Sequence, residues 1–149
     1  MDALFIGSGA FPQNGMIPAK YTCDGAGVSP PISIAGVPKE TKSLALVVDD
    51  PDAPVGTWVH WVVWNIGAGT REIPENAVPQ GAVEGMNDFR KRKYGGPCPP
   101  SGTHRYFFKL YALDAPLPLK PGAAKAQVEE AMKGHVLAQA ELIGLYRRE

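Results

Sequence analysis

A mainly β domain is what the sequence predicts, and three features predict it. Seventeen glycines and fifteen prolines fall in clusters between short apolar runs, the punctuation of strands joined by turns. The apolar runs are rich in valine and aromatic residues and too short for ordinary helices. Strong helix formers concentrate in one stretch near the C-terminus.

Taken in order, Ala3 to Ile6 and Pro31 to Ala35 are weak strand candidates. Ser43 to Asp49 (SLALVVD) is the strongest, a continuous aliphatic run suited to a central strand covered on both faces. Trp58 to Ile66 (WVHWVVWNI) follows, and strict alternation places Trp58, His60, Val62 and Trp64 on one face. Gly67 to Pro100 reads as an extended loop, of a length that in compact domains usually packs over a site. In Tyr106 to Leu113 (YFFKLYAL), Tyr106, Phe108 and Leu110 share a face, and Lys109 marks the other as partly wet. Ala123 to Lys133 predicts a helix that starts after Pro121-Gly122 and stops at Gly134. His135 to Ala140 reads as a second helical piece, and Glu141 to Arg148 as a closing strand.

The length of 149 residues fits one domain, spanning 1–149, and 44% hydrophobic with 20% charged residues is globular rather than disordered composition. Fifteen basic and fifteen acidic side chains cancel, which excludes a whole-molecule field drawing the chain to nucleic acid or an anionic membrane. The basic run Arg90-Lys91-Arg92-Lys93 reads as a solvated loop. The N-terminus lacks a basic leader segment and its apolar stretch is short, so no signal or membrane span is expected and the chain reads as cytoplasmic. In that compartment Cys23 and Cys98 are expected to be free thiols, although sequence leaves a bridge between them open.

Two polar clusters abut strands. Asp49-Asp50-Pro51-Asp52-Ala53-Pro54 follows the strongest strand, and its prolines fix the backbone that carries the carboxylates. Gly95 to Tyr106 (GGPCPPSGTHRY) is a glycine- and proline-rich loop leading into a strand, where the backbone is free to approach a ligand. His60 lies within an aromatic strand and needs a polar partner, and Asp50 and Asp52 are the nearest supply. A carboxylate beside an imidazole orients it and favours its charged form. The plain alternative is a satisfied core histidine beside turn-capping aspartates. His104, at a second junction of loop and strand, favours a site.

The segments DPDAPVGTWVHWVVWNI and YGGPCPPSGTHRYFFKLYAL resemble the two signatures of the phosphatidylethanolamine-binding (Raf kinase inhibitor-like) family. YTCDGAGVSPPI and GHVLAQAELIGLYRR are similar to its bacterial and archaeal YbhB/YbcL branch, so the resemblance spans nearly the whole chain. It implies a β-sandwich of two packed antiparallel sheets, with one or two short helices near the C-terminus and an anion pocket at one end. Carried over position by position, the ligand-binding residues are Asp50, Asp52, Pro54, Trp58, His60, Gly96, His104 and Tyr106. The implied ligand is a small anion or phosphorylated molecule, without cofactor or metal. Inhibition of a kinase or protease and a homodimer are further implications. The closing LIGLYRRE shows no clear counterpart of the C-terminal helix that covers the pocket in eukaryotic members, so the resemblance leaves open the lipid specificity attached to that helix.

If the aspartates hold both imidazoles protonated, the quartet is nearly neutral and its N–H groups face the anion, and binding weakens as pH rises. Rival readings are a hydrolase, a metal site and a protein-interaction module. Ser8 and Ser101 lack the flanking pattern of a nucleophile elbow. The Asp and His residues lack compact metal-ligand spacing, and there is no phosphate-binding glycine loop ending in Lys-Ser/Thr. The sequence therefore reads as a binding protein without a catalytic residue.

Overall fold

The computed structural model describes residues 3–148. Strands β1 (Phe5–Gly7), β3 (Ile32–Ala35) and β6 (Glu72–Ile73) form a small antiparallel sheet in the order β1-β3-β6. The larger sheet combines β2 (Gly15–Met16), β4 (Ser43–Asp50), β5 (Trp58–Gly67), β7 (Val83–Glu84), β8 (Thr103–Leu113) and β9 (Val136–Arg147) in the order β2-β9-β8-β4-β5-β7. Its pairings are antiparallel except for the short parallel contact of β2 with β9.

The two sheets pack on Ile6, Ile32, Ile34 and Ile73 from one side and Leu44, Leu46, Val48, Trp61, Val63, Phe108 and Leu110 from the other. The opposite face of the large sheet buries Ala45, Val47, Val62 and Trp64 against Leu117 and the helix α1 (Lys125–Met132), through Val128 and Met132. Strand β4 lies between these layers with all eight residues buried, as its unbroken aliphatic run requires. A fully buried side chain such as Phe108 contributes about 2 kcal/mol or more by leaving water.

The helix lies inside its expected range, and Gly134 ends it with φ of 81°, the left-handed conformation glycine adopts freely. The helical reading of His135 to Ala140 is corrected: these residues lead into and form the first half of β9, with Ala138 opposite Ala112 and Ala140 opposite Leu110. The ladder offered by β8 outweighs the helix propensity of Leu-Ala-Gln-Ala-Glu, a weak preference that tertiary pairing overrides.

The alternation assumed for Trp58 to Ile66 is corrected as well. Val48 pairs with Trp61 but Asp49 with Val59, leaving His60 as an extra residue; a second shift between Leu44 and Leu46 accompanies Asn65, at φ of 55°. These bulges send Trp61 and Val63 into the sandwich core and Val62 and Trp64 to the helix side, so His60 does not share a face with the latter pair. Asn65 is anchored by Leu117, accepting from its N–H at 2.7 Å and donating to its carbonyl at 3.0 Å.

Candidate functional site

Strand β4 ends with two carboxylates that alternation sends in opposite directions. Asp49 points to the helix side, where Lys109 Nζ at 3.1 Å and Lys125 Nζ at 2.9 Å neutralise it. Asp50 points to the end of the sandwich, where its Oδ2 lies 2.6 Å from Nδ1 of His104, with Asp50 3% and His104 6% exposed. Because β8 begins at Thr103, His104 is held within a ladder opposite Tyr146 rather than on a loose junction.

Next to this pair a cavity of about 300 Å³ is lined by Asp50, Pro54, Trp58, His60, His104 and Tyr106, six of the eight residues expected from sequence. Tyr106 forms its floor, 1% exposed, and its ring stands between the imidazoles, with centroids 5.2 Å from His60 and 6.4 Å from His104. Two distant stretches of the chain therefore meet around one concavity.

The two remaining residues do other work. The Asp52 carboxylate faces outward and forks onto Arg105, accepting from Nε at 2.9 Å, Nη2 at 2.8 Å and the Arg105 backbone N–H at 2.9 Å. The Arg105 guanidinium holds Asp52 down at about 2. Within the turn, the Asp52 backbone N–H donates to Asp50 Oδ1 at 2.7 Å, which fixes the rotamer of Asp50. Gly96 packs behind the pocket: a Cβ there would meet Thr22 Cα at 2.9 Å and the Tyr21 carbonyl at 3.0 Å. Its lack of a side chain lets the Gly95–Pro100 loop dock on the Tyr21–Cys23 segment, where the Cys23 N–H donates to the Pro97 carbonyl at 3.1 Å and Tyr94 Oη to that of Tyr21 at 2.8 Å.

Cys23 and Cys98 are joined in a disulfide across this dock, which corrects the expectation of free thiols. Their sequence separation of 75 hid an approach made by folding. Cys98, Pro99 and Pro100 form one wall of the cavity, and Ala53, Val55 and Phe89 complete it. Sequence reasoning missed Phe89, whose only sign was an aromatic residue beside the basic run. Its ring lies edge-on to Trp58 and His60, at 5.5 and 5.4 Å. Asn87 shapes that loop by accepting from the N–H groups of Phe89 and Lys91 and donating to the carbonyl of Lys93. Arg90 to Lys93 are exposed, as a solvated run should be.

The partner of His60 differs from the expected one. Its Nδ1 lies 2.7 Å from the Gly95 carbonyl, while its own carbonyl accepts the Gly95 N–H at 2.9 Å. Burial, at 3% exposure, lowers its affinity for a proton despite the Gly95 carbonyl and the charges of Asp50, Asp49 and Asp88, so His60 is held toward the neutral form. The symmetrical pair of protonated imidazoles is thus replaced by two unlike histidines. His135, the third, pairs with Asp114 at 2.7 Å, away from the pocket.

Two of the side chains that line the cavity carry a buried donor with no partner among the described residues: Trp58 Nε1 and Tyr106 Oη. A larger depression of about 380 Å³ on β8 and β9, between Lys109, Tyr111 and Glu141, has no such groups. Among the described residues no three His, Cys, Asp or Glu side chains converge as a metal-ligand set, and no helix is long and apolar enough to cross a membrane.

A two-sheet β-sandwich with a helix on its outer face and an end pocket signed by Asp50, His60 and His104 defines a class of small domain. The chain belongs to the phosphatidylethanolamine-binding protein family, whose sequence profile matches residues 7–147. It is 58% identical over 144 residues to a UPF0098 protein of Methanothermobacter thermautotrophicus, covering 93% of this chain and 95% of that one. Against the phosphatidylethanolamine-binding protein homologue CT736 of Chlamydia trachomatis the structure superposes with a TM-score of 0.96 at 44% identity, over the full length of both. Against YbcL of E. coli, described as a member of the mammalian family, the TM-score is 0.92 at 32% identity, over 99% of this chain and 100% of that one.

Proposed function

We propose that this protein binds a small oxyanion, the head of a phosphorylated ligand, in the pocket between His60 and His104, and that it is not an enzyme. The observation that carries this reading is the pair of unpartnered buried donors, Trp58 Nε1 and Tyr106 Oη, beside a histidine oriented by Asp50. A buried donor left unpaired costs about 1–3 kcal/mol, and a ligand oxygen that accepts from it recovers that cost. The aromatic and proline walls exclude water and strengthen each such bond. A cavity of about 300 Å³ fits a phosphate head with a short substituent and lies at the small end of ligand sites. The family's name, phosphatidylethanolamine-binding, points to the same phosphate chemistry.

Support for binding without catalysis comes from the lining itself. It holds no Ser, Thr or Lys, and its cysteine is tied in the disulfide, so the aliphatic hydroxyl, amine and free thiol nucleophiles of covalent catalysis are absent from the lining. Calorimetric titration with inorganic phosphate and phosphoethanolamine tests the reading. Saturable binding at one site, lost in Tyr106→Phe combined with Trp58→Phe, is expected; no heat with either ligand overturns it. Turnover of phosphoester substrates that disappears in His104→Ala overturns the non-enzymatic part.

A second reading is favoured by the rim. Val55 is 84% and Phe89 38% exposed, and the exposed Arg90 to Lys93 follow Phe89 in the chain. An apolar and basic collar around an oxyanion pocket suits a phosphorylated segment of a protein partner, the arrangement an inhibitory module requires. Stronger binding of a phosphopeptide than of phosphoserine, abolished by Phe89→Ser with Lys91→Glu, supports it; equal affinities reject it.

A further inference from the structure

We propose that the pocket selects oxyanions that carry a proton, such as a phosphomonoester, over oxyanions of the same shape and charge that carry none, such as a sulfate ester, because His60 presents a hydrogen-bond acceptor to the ligand. This rests on the oxyanion reading above and adds the chemical class the site accepts. A carbonyl oxygen only accepts, so the 2.7 Å contact with Gly95 requires the hydrogen on Nδ1 of His60. The tautomer follows from the partner rather than from a visible hydrogen. Nε2, which makes no hydrogen bond among the described residues, is then a lone pair on a side chain that lines the cavity.

The surroundings keep it so. The ring packs edge-on against Phe89 and Tyr106, at 5.4 and 5.2 Å, and a flip that exchanged the two nitrogens would break the Nδ1 bond to the Gly95 carbonyl. Burial in this aromatic setting opposes a second proton on the ring. Asp50 adds acceptors on the same wall, since its oxygens receive the Asp52 N–H and face His104 but retain further lone pairs.

The residues lining the cavity thus carry unpartnered donors, Trp58 Nε1 and Tyr106 Oη, together with acceptors, His60 Nε2 and Asp50. A phosphomonoester, whose second pKa is about 6, offers bare oxygens to the former and a P–OH to the latter. A sulfate monoester has bare oxygens alone, so one of them must face a lone pair. Sites built to receive a ligand hydroxyl discriminate strongly against analogues without it, because the buried partner is left unpaired.

The test uses methyl phosphate and methyl sulfate at pH 5, where methyl phosphate is mostly the protonated monoanion and matches the sulfate in net charge and nearly in shape. Calorimetry on the intact, oxidised protein is expected to show methyl phosphate binding at least about 100-fold more tightly. Trp58→Phe, which removes a donor seen by both ligands, should weaken phosphate binding while the phosphate proton continues to decide the preference. Nitrogen-15 NMR of the unmutated protein should show His60 with Nδ1 protonated and Nε2 bare. Equal affinities for the two esters, or a protonated Nε2, overturn the proposal while the oxyanion reading stands. No binding of either ester overturns both.

Discussion

Asp50 and His104, 54 residues apart in sequence, are joined by a 2.6 Å contact between Oδ2 and Nδ1 in which both side chains are more than nine-tenths buried. The carboxylate fixes which way the imidazole faces, and the turn after β4 fixes the carboxylate by donating the Asp52 N–H to Oδ1. A hydrogen bond to a charged partner in such a setting contributes about 2 kcal/mol. Asp50→Asn is therefore expected to lower stability by about that amount in urea titration and to weaken phosphate binding at least tenfold. Unchanged affinity in a folded variant would show that His104 needs no orientation.

Asp52, two residues on, is expected to behave differently. Its carboxyl titrates near 2 in the folded chain against 3.8 when free, because of Arg105, so the pair stabilises the fold above about pH 4 and loses that effect as pH falls toward about 2. With Arg105 half-exposed, solvent screens the pair and its contribution is small. Asp52→Asn should leave phosphate affinity within about twofold, and its urea midpoint should differ from that of the unmodified protein at pH 6 but not at pH 2. A large loss of affinity would return Asp52 to the site.

The pH response of His60 has the same sign but falls in a higher window. The unfolded imidazole takes a proton near 6.5, whereas the buried one resists it, despite Asp50 and Asp49 on β4 and Asp88 in the facing loop; His104 and Tyr106 on β8 complete its titratable surroundings. Below that point the unfolded state binds more protons, and stability rises with pH through the window. Between pH 5 and 7 the protein should gain stability, and His60→Gln should flatten that gain. An equal slope in the variant would assign the effect to other groups.

The Cys23–Cys98 bridge closes a loop with a sequence separation of 75 and carries one wall of the cavity. Chain-entropy arguments give it about 4 kcal/mol. Reduction by a dithiol, or replacement of both cysteines by serine, should lower the thermal midpoint and reduce phosphate affinity, because Pro99 and Pro100 lose an anchor. The hydrogen bonds from Tyr94 and Cys23 remain, so the loss of affinity should be partial. Unaltered affinity after complete reduction would show that those contacts alone hold the wall.

Much of the candidate site was legible because its residues sit at strand ends marked by proline and glycine: Asp50 closing one strand and Pro54 in the turn after it, Trp58 and His60 in the next, His104 and Tyr106 entering the third. Gly96 carried a family signature yet serves packing, since sequence does not say whether a glycine approaches a ligand or another piece of backbone. Phe89 and the proline wall were not legible, because a long irregular loop has no periodicity from which a facing direction can be read.

The sequence by itself determined the β class, the central position of Ser43 to Asp49 and the helix stop at Gly134, all of which depend on residues adjacent in the chain. Tertiary structure alone decided the rest. A bulge at His60 changed which neighbours share a face, a free ladder on β8 turned a helical segment into strand, and the docked glycine-proline loop supplied the disulfide and the carbonyl that holds His60. Each is a contact between distant segments, and its energy is absent until the chain has closed.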